Sequence, residues 1–261
     1  MSRHLQRAFY RHLKEDKSEK DQALMSKLAA SKTLVHTARI TVPTVVDAVL
    51  GRLDPETLDQ RLSSWAQTML AEARITIVVR GRENLGDGSE TFILMSNHQS
   101  HFDIPVLYRA IPRRIRMVAK AELFRIPLFG RAMVAGGFVK VDRRNHQQAV
   151  QSLRDSASML DHGTFLWIAP EGTRSVTGKL GPFKSGGFHV ALESGRRILP
   201  IAIEGTRLVL QSGTIDLHRG HHVTVTILPP IDPQSFGPSR RKDLMEAVRN
   251  AIASALPIES V

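Results

Sequence analysis

From Ile75 onward the chain alternates between short apolar runs and stretches in which apolar residues recur at helical spacing. The runs indicate six β-strands, at Ile75–Val79, Phe92–Met95, Gly137–Val141, Thr164–Ala169, Ile198–Ile203 and Val223–Leu228. The other stretches indicate helices at Ile104–Ala110, Gln147–Leu160, Lys184–Glu193 and Arg240–Leu256, with glycine stops at Gly163 and Gly195. This alternation predicts an α/β fold with a mixed, largely parallel sheet that helices cover on both faces.

Residues 1–74 show helical spacing without strands, so we expect an N-terminal helical region distinct from a sheet domain at 75–261. Pro43 predicts a break in the first apolar stretch, and Asp54 followed by Pro55 predicts the start of a further helix. Two interpretations are open for these helices. They could pack on the sheet domain, or they could form an amphipathic pair that lies in a membrane interface.

Neither an export signal nor a membrane span is expected from the sequence. Met1–Gln22 is strongly charged and lacks the apolar centre of a signal peptide. The most apolar candidate for a span, Ile40–Leu50, is too short and contains Pro43 and Asp47. The pattern therefore predicts a soluble or peripheral protein.

The charge of the chain indicates an anionic partner. The net charge over 261 residues is +11, and between Ile104 and Asn145 ten Lys and Arg residues stand against two acidic ones. A solvated basic face would explain this excess, and so would an anionic membrane or a phosphorylated substrate. Nucleic acid is the weakest explanation, because no recognition motif is present and Trp and Tyr are few.

The segment Ser96–Asp103 follows the second predicted strand and contains His98 and Asp103. If the histidine lies in a turn and the aspartate in the first turn of a helix, the carboxylate can hold one ring nitrogen while the other acts as a base. Two other interpretations are open at this point. Asp103 stands at capping-box spacing from Ser100 and could cap the helix. Alternatively, His98, His101 and Asp103 could ligate a metal ion.

The turn Pro170–Ser175 suits a phosphate, because its backbone N–H groups can point at the anion while Arg174 offers a bidentate fork. Lys120 and Arg143 are further candidate anion contacts, although ordinary surface charges would give the same sequence. The chain has no cysteine and no Gly-x-Ser-x-Gly segment, so a covalent acyl-enzyme has no obvious nucleophile. A base beside a phosphate site indicates a transferase that acts directly on a phosphorylated alcohol.

Four blocks between residues 75 and 230 resemble the PlsC family of glycerophospholipid acyltransferases, in that family's order. They are Asn97–Asp103 with its H-x4-D pattern, Gly137–Arg143, Pro170–Ser175 with its continuation to Gly187, and Ile198–Ile203 with Gly205. Ala169 departs from the family, which usually has phenylalanine before Pro-Glu-Gly. The amino-terminal region also lacks the spanning helix that many members carry.

The resemblance implies transfer of an acyl group from acyl-CoA or acyl carrier protein to the hydroxyl of lysophosphatidic acid, with no metal and no cofactor. His98 would be the general base and Asp103 its orienting carboxylate. The residues implied to bind the acceptor phosphate region are Glu171, Gly172, Thr173, Arg174, Arg143 and Lys120. Other implied partners are a lyso-phospholipid and the cytoplasmic face of an anionic membrane, bound peripherally, but not nucleic acid. Glycerol 3-phosphate or a lyso-ornithine lipid could replace the acceptor, and a metal-dependent hydrolase is the alternative from another class.

Overall fold

The computed structural model describes residues 31–142, 146–156 and 163–258. Its centre is a seven-stranded sheet whose strands are β1 Thr76–Arg80, β2 Ile93–Ser96, β3 Ile115–Lys120, β4 Val139–Val141, β5 Phe165–Ile168, β6 Ile198–Glu204 and β7 His222–Ile227. Their order across the sheet is β1-β7-β6-β2-β5-β3-β4. β6 and β7 pair antiparallel, whereas the other neighbours pair parallel. The predicted mixed, largely parallel sheet is confirmed.

Helices connect and cover these strands. The α-helices in the described residues are α1 31–49, α2 Pro55–Glu72, α3 Asp103–Ala110, α4 Phe129–Ala135, α5 His146–Asp155, α6 Gly186–Ser194, α7 Thr206–Val209 and α8 Arg241–Ser254. The helix predicted at Gln147–Leu160 is confirmed as far as Asp155, and its last residues, 157–160, lie outside the described residues. Within the described ranges, no helix combines the length and the apolar content needed to cross a bilayer.

The sheet separates two layers of apolar packing. On β2, Leu94 contributes to the layer formed with α2 and α3, whereas Ile93 and Met95 contribute to the layer formed with α5, α6 and α8. This alternation follows from the strand geometry, which sends successive side chains to opposite faces. A strand with both faces covered carries a continuous apolar run, and all four residues of β2 are accordingly buried.

Helix α2 packs on the sheet layer, and α1 packs on α2. Leu58, Leu62 and Leu70 of α2 are buried, and Asp54 accepts the Thr57 N–H at 2.8 Å, as the predicted helix start requires. The packing interpretation therefore holds for α2. The division into regions 1–74 and 75–261 stays a prediction.

The predicted helix break at Pro43 is wrong, because residues 31–49 form a continuous helix. Contacts on both sides of the proline fasten α1 to α2. Thr37 accepts from Trp65 Nε1 at 3.3 Å, and Asp47 forms an ion pair with Arg61. These tertiary contacts outweigh the single backbone hydrogen bond that proline cannot donate.

Strand β3 and helix α4 were not predicted from the sequence. β3 contains Arg116, which interrupts its apolar pattern, yet the Arg116 side chain is buried and lies 2.7 Å from Asp59 of α2. A charge can enter a core position when a partner and hydrogen bonds compensate for its lost hydration. Here the partner stands on another element far along the chain, so the pattern around Arg116 could not reveal it.

Candidate active site

The candidate site lies at the edge of the sheet where three adjacent parallel strands end. β2 and β5 are neighbours and end at Ser96 and Ile168, and β3, on the other side of β5, ends at Lys120. The turn bearing His98 follows β2, and the turn bearing Arg174 follows β5. Ligands of open α/β sheets bind outside the carboxyl ends of the strands, so this edge is the expected position for a site.

His98 and Asp103 form a hydrogen-bonded pair, here called the dyad. His98 Nδ1 lies 2.7 Å from Asp103 Oδ2, and the Asp103 side chain is fully buried at the start of α3. The same oxygen accepts backbone N–H groups of Gln99 at 2.7 Å and Ser100 at 3.0 Å. A carboxylate held this way is an acceptor, so the hydrogen-bond network assigns the ring proton to Nδ1 and a free lone pair to Nε2.

The capping interpretation is confirmed only for one contact. Asp103 Oδ2 accepts the Ser100 N–H, as the spacing of the two residues predicted. However, α3 begins at Asp103, its N-cap residue is Phe102, and no side chain caps it through a hydrogen bond. Asp103 therefore orients the imidazole and closes the turn that precedes α3.

Trp167 packs against the histidine ring from the neighbouring strand. The ring planes of His98 and Trp167 meet at 88°, with centroids 5.5 Å apart, an edge-to-face arrangement that aromatic pairs favour. Trp167 Nε1 donates to the buried hydroxyl of Ser96 at 2.9 Å, which fixes the indole. Sequence analysis did not assign Trp167 to the site, because its place opposite His98 depends on the register of β2 and β5.

Glu171 joins the two turns. Its Oε1 accepts the backbone N–H of His98 at 2.8 Å and its Oε2 accepts that of Gly181 at 2.9 Å. Burial raises the pKa of this carboxyl, and the two N–H donors oppose the rise. The Ser175 N–H in turn donates to the His98 carbonyl at 2.7 Å. Both Glu171 oxygens are thus used within the protein, so this residue connects the turn that bears His98 to the turn that bears Arg174.

Cations gather beside the dyad. Burial lowers the pKa of the Arg174 guanidinium, and the charge of Asp103 partly offsets that effect. His101 keeps solvent exposure, yet desolvation by the surrounding protein lowers its pKa to about 4. The positive charges of Arg174 and Lys120 act in the same direction, as does the charge of His98 when that ring is protonated. His101 is therefore neutral near pH 7. In the sequence it was weighed only as a metal ligand.

A third cation, Lys184, lies across the turn that precedes Arg174. Gly172 has a φ of +69°, and a Cβ added there would lie 3.0 Å from the end of the Lys184 side chain. Glycine therefore both permits the turn and makes room for the lysine. Within the described residues, none of Lys120, Arg174 and Lys184 makes an ion pair. These three residues are called the cation cluster below.

The remaining predicted site residues have different outcomes. Thr173 follows Gly172 in the turn, and its backbone N–H and that of Arg174 make no hydrogen bond to any described residue. Arg143 lies outside the described residues. In the described ranges no group of three His, Cys, Asp or Glu side chains is arranged to hold a metal ion. His98, His101 and Asp103 accordingly do not form the ligand set that their spacing allowed.

The fold and the site define an α/β protein with a carboxylate-held histidine at one edge of its sheet, beside cations that have no ion-pair partner among the described residues. The family model described as Acyltransferase matches residues 76–204, a span that contains the dyad and the cation cluster. The 1-acyl-sn-glycerol-3-phosphate acyltransferase of Saccharomyces cerevisiae is 31% identical over 206 residues, which cover 76% of this chain and 67% of the yeast protein. The chain belongs to the acyltransferase family.

Two further comparisons agree with this assignment. The chain is 35% identical over 191 residues to a 1-acyl-sn-glycerol-3-phosphate acyltransferase of Chlamydomonas reinhardtii, covering 72% of this chain and 54% of that protein. It thus spans about half the length of the algal relative. The crystal structure of the 1-acyl-sn-glycerophosphate acyltransferase PlsC from Thermotoga maritima superposes with a TM-score of 0.71 at 26% identity, covering 89% of this chain and 97% of that one.

Proposed function

We propose that the protein transfers a fatty acyl group from acyl-CoA or acyl carrier protein to the hydroxyl of lysophosphatidic acid and so forms phosphatidic acid. The observation that carries the proposal is the 2.7 Å contact between His98 Nδ1 and the buried Asp103. It leaves His98 Nε2 as a proton acceptor whose ring is oriented by a carboxylate. The names of the yeast and algal relatives support this acceptor.

The reaction needs one proton acceptor and no covalent enzyme intermediate. His98 Nε2 takes the proton of the acceptor hydroxyl as its oxygen attacks the thioester carbonyl, and Asp103 stabilises the imidazolium that forms. The tetrahedral intermediate carries a negative oxygen, for which the unengaged N–H groups of Thr173 and Arg174 are candidate donors. Collapse expels the thiolate, which takes the proton from His98 to leave as a thiol. The ester product and the free base remain.

The cation cluster supports an acceptor that carries a phosphate. Lys120, Arg174 and Lys184 lack carboxylate partners in the described part of the chain, so an anionic group would give all three a partner. For Arg174 it would also compensate for the hydration lost on burial. Glycerol 3-phosphate shares this group with lysophosphatidic acid. A lyso-ornithine lipid lacks it, so a strict preference for phosphate-bearing acceptors follows from the proposal.

Attachment to the cytoplasmic face of an anionic membrane belongs to the same proposal. One side of α1 carries exposed apolar residues at helical spacing, namely Val35, Val42, Val46 and Val49. A helix with such a side, in a chain with a net charge of +11, suits the interface of a bilayer that contains anionic lipid. This binding would present the lyso-lipid to the site from the surface of the bilayer.

The test is a thiol-release assay with acyl-CoA and a panel of acceptors: lysophosphatidic acid, glycerol 3-phosphate, a lyso-ornithine lipid and water alone. We expect release to depend on lysophosphatidic acid and His98→Ala to lower turnover by at least about 10²-fold, the lower end for a general base. The matched control is His222→Ala, which removes an exposed imidazole from β7 and should leave turnover unchanged. Full activity in folded His98→Ala would refute the proposal. Chelator-sensitive release into water alone would favour the hydrolase.

A further inference from the structure

The two oxygens of Asp103 are held by different parts of the chain. Oδ2 faces His98 and the two N–H groups next to it in sequence. Oδ1 accepts the hydroxyl of Thr206 at 2.5 Å. Thr206 is fully buried at the first position of α7 and lies beyond the span that the family model matches. Among the described residues, the Thr206 hydroxyl is the donor to Oδ1, the carboxylate oxygen that does not contact the imidazole.

The segment that carries Thr206 is fixed against the turn of the dyad at two further points. The Asn97 side chain bonds both the N–H and the carbonyl of Ile203 at 2.8 Å, and the Ser100 hydroxyl donates to the Leu210 carbonyl at 2.7 Å. Because β6 runs beside β2 in parallel, its carboxyl end arrives next to the start of the His98 turn. Thr206 therefore reaches Asp103 from a rigid support.

Gly205 allows the chain to turn from β6 into α7 at this point. Its φ is +95°, and an added Cβ would lie 2.4 Å from the His222 carbonyl oxygen. Only a residue without a side chain fits such a close approach of two backbones. The turn directs the next residue, Thr206, into the core toward the carboxylate.

We infer that Thr206 is a positioning residue for the dyad. Its O–H holds Oδ1, which fixes the plane of the carboxylate, and the carboxylate in turn fixes the plane of the His98 ring. Without this donor the carboxylate can turn about its last bond, and its negative charge is less dispersed where it meets the imidazole. The inference rests on the proposed role of His98 as the base.

Two substitutions separate the hydroxyl from the bulk of the side chain. Thr206→Val keeps the shape and removes the donor, whereas Thr206→Ser keeps the donor. We expect kcat of Thr206→Val to fall roughly 10- to 100-fold, the range that a hydrogen bond to a charged group allows. KM for lysophosphatidic acid should stay within about twofold, since the variant changes a group that acts through the base. Thr206→Ser should recover most of the lost kcat.

The pH dependence gives a readout that a purely structural role would not move. Removing a donor concentrates negative charge on Asp103 and favours the protonated imidazole, so the acid limb of the kcat profile should move to higher pH. Thr164→Val is the matched control, because Thr164 is also buried but lies at the opposite end of β5. It should leave kcat and the pH profile unchanged.

Several outcomes would overturn the inference. Wild-type kcat in folded Thr206→Val is one, and failure of a folded Thr206→Ser to exceed Thr206→Val is another. If Thr206→Val does not fold, Thr206→Ala takes its place, and equal kcat in the alanine and serine variants would also overturn it. His98→Ala, measured in parallel, distinguishes failure of the proposed function from failure of the inference about Thr206. Full activity of His98→Ala would refute the proposed role of His98 as the base. An inactive His98→Ala together with an unaffected Thr206→Val would refute only the role of Thr206.

Discussion

Asp103→Asn tests how the buried carboxylate supports the base. Three N–H groups converge on the position of Oδ2, so the amide oxygen of asparagine must take that position. The amide NH2 group then faces Thr206, whose hydroxyl can rotate and accept. The variant should therefore keep the imidazole oriented with its proton on Nδ1. What it loses is the negative charge beside the imidazolium.

The expected loss of kcat lies between two estimates, one from the strength of the hydrogen bond and one from the charge of the carboxylate. Hydrogen bonds to charged groups are worth roughly 1.5–3 kcal/mol and neutral ones roughly 0.5–1.5 kcal/mol, so their difference lowers kcat about 10-fold. A unit charge about 4 Å from another near a protein surface contributes up to about 4 kcal/mol, which would correspond to about 10³-fold. We expect kcat of Asp103→Asn to fall about 10²-fold, with less effect on KM for the acceptor.

The measurement is steady-state thiol release, with kcat and KM determined separately and thermal unfolding recorded for each variant. Asp216→Asn is the control, since it makes the same change at an exposed position in the chain. A kcat within twofold of wild type would refute the electrostatic role of Asp103. Inactivity as complete as that of His98→Ala, in a protein with unchanged unfolding temperature, would refute the argument that the amide preserves the orientation of the ring.

The remaining predictions concern stability, protonation and membrane binding. Glu171→Gln replaces one acceptor oxygen by a donor that faces a backbone N–H, so the free energy of unfolding should fall by about 1–3 kcal/mol in urea titrations; an unchanged midpoint would contradict this. An NMR titration should find the pKa of His101 at about 4, below the ordinary 6.5. Since the unfolded chain then binds the proton more readily, stability should fall as the pH drops from about 6.5 to about 4, and less so in His101→Gln. A pKa of 6.5 in the folded protein would count against desolvation of the His101 ring by its neighbours. Val42→Asp with Val46→Asp should abolish flotation with vesicles that contain anionic lipid, whereas Ile215→Asp, at another exposed apolar residue, should not. Equal flotation of both variants would contradict a membrane role of α1.

Local patterns in the sequence were sufficient for the central strands and for the start of α2. They offered the pairing of His98 with Asp103 as one of three interpretations, and the family resemblance favoured it. Each depends on residues close together in the chain or on a period that a strand or helix imposes. The prediction of a break at Pro43 was wrong because the outcome there depends on contacts between residues far apart in the chain. Contacts to α2 on both sides of the proline keep α1 continuous, and a local rule for proline does not include them.

The supporting residues of the site could not be predicted in the same way. Thr206 stands 103 positions from Asp103 in the chain, and Glu171 stands 73 positions from the His98 N–H that it accepts. The positions of buried Arg116 and Trp167 likewise depend on partners in other parts of the chain, Asp59 and His98. Such contacts are set by the order and register of the strands, and the alternation of strands and helices leaves that order undetermined.

The peptide groups of His98 are tied on both sides to the turn that bears Arg174, through Glu171 on the N–H side and Ser175 on the carbonyl side. If His98 is the proposed base and the Arg174 turn binds the proposed phosphate, one connected stretch of backbone carries both, and neither can shift without displacing the other. A substrate analogue without the phosphate would then react more slowly as well as bind more weakly, because part of the energy of binding the remote anion would serve to position the proton acceptor.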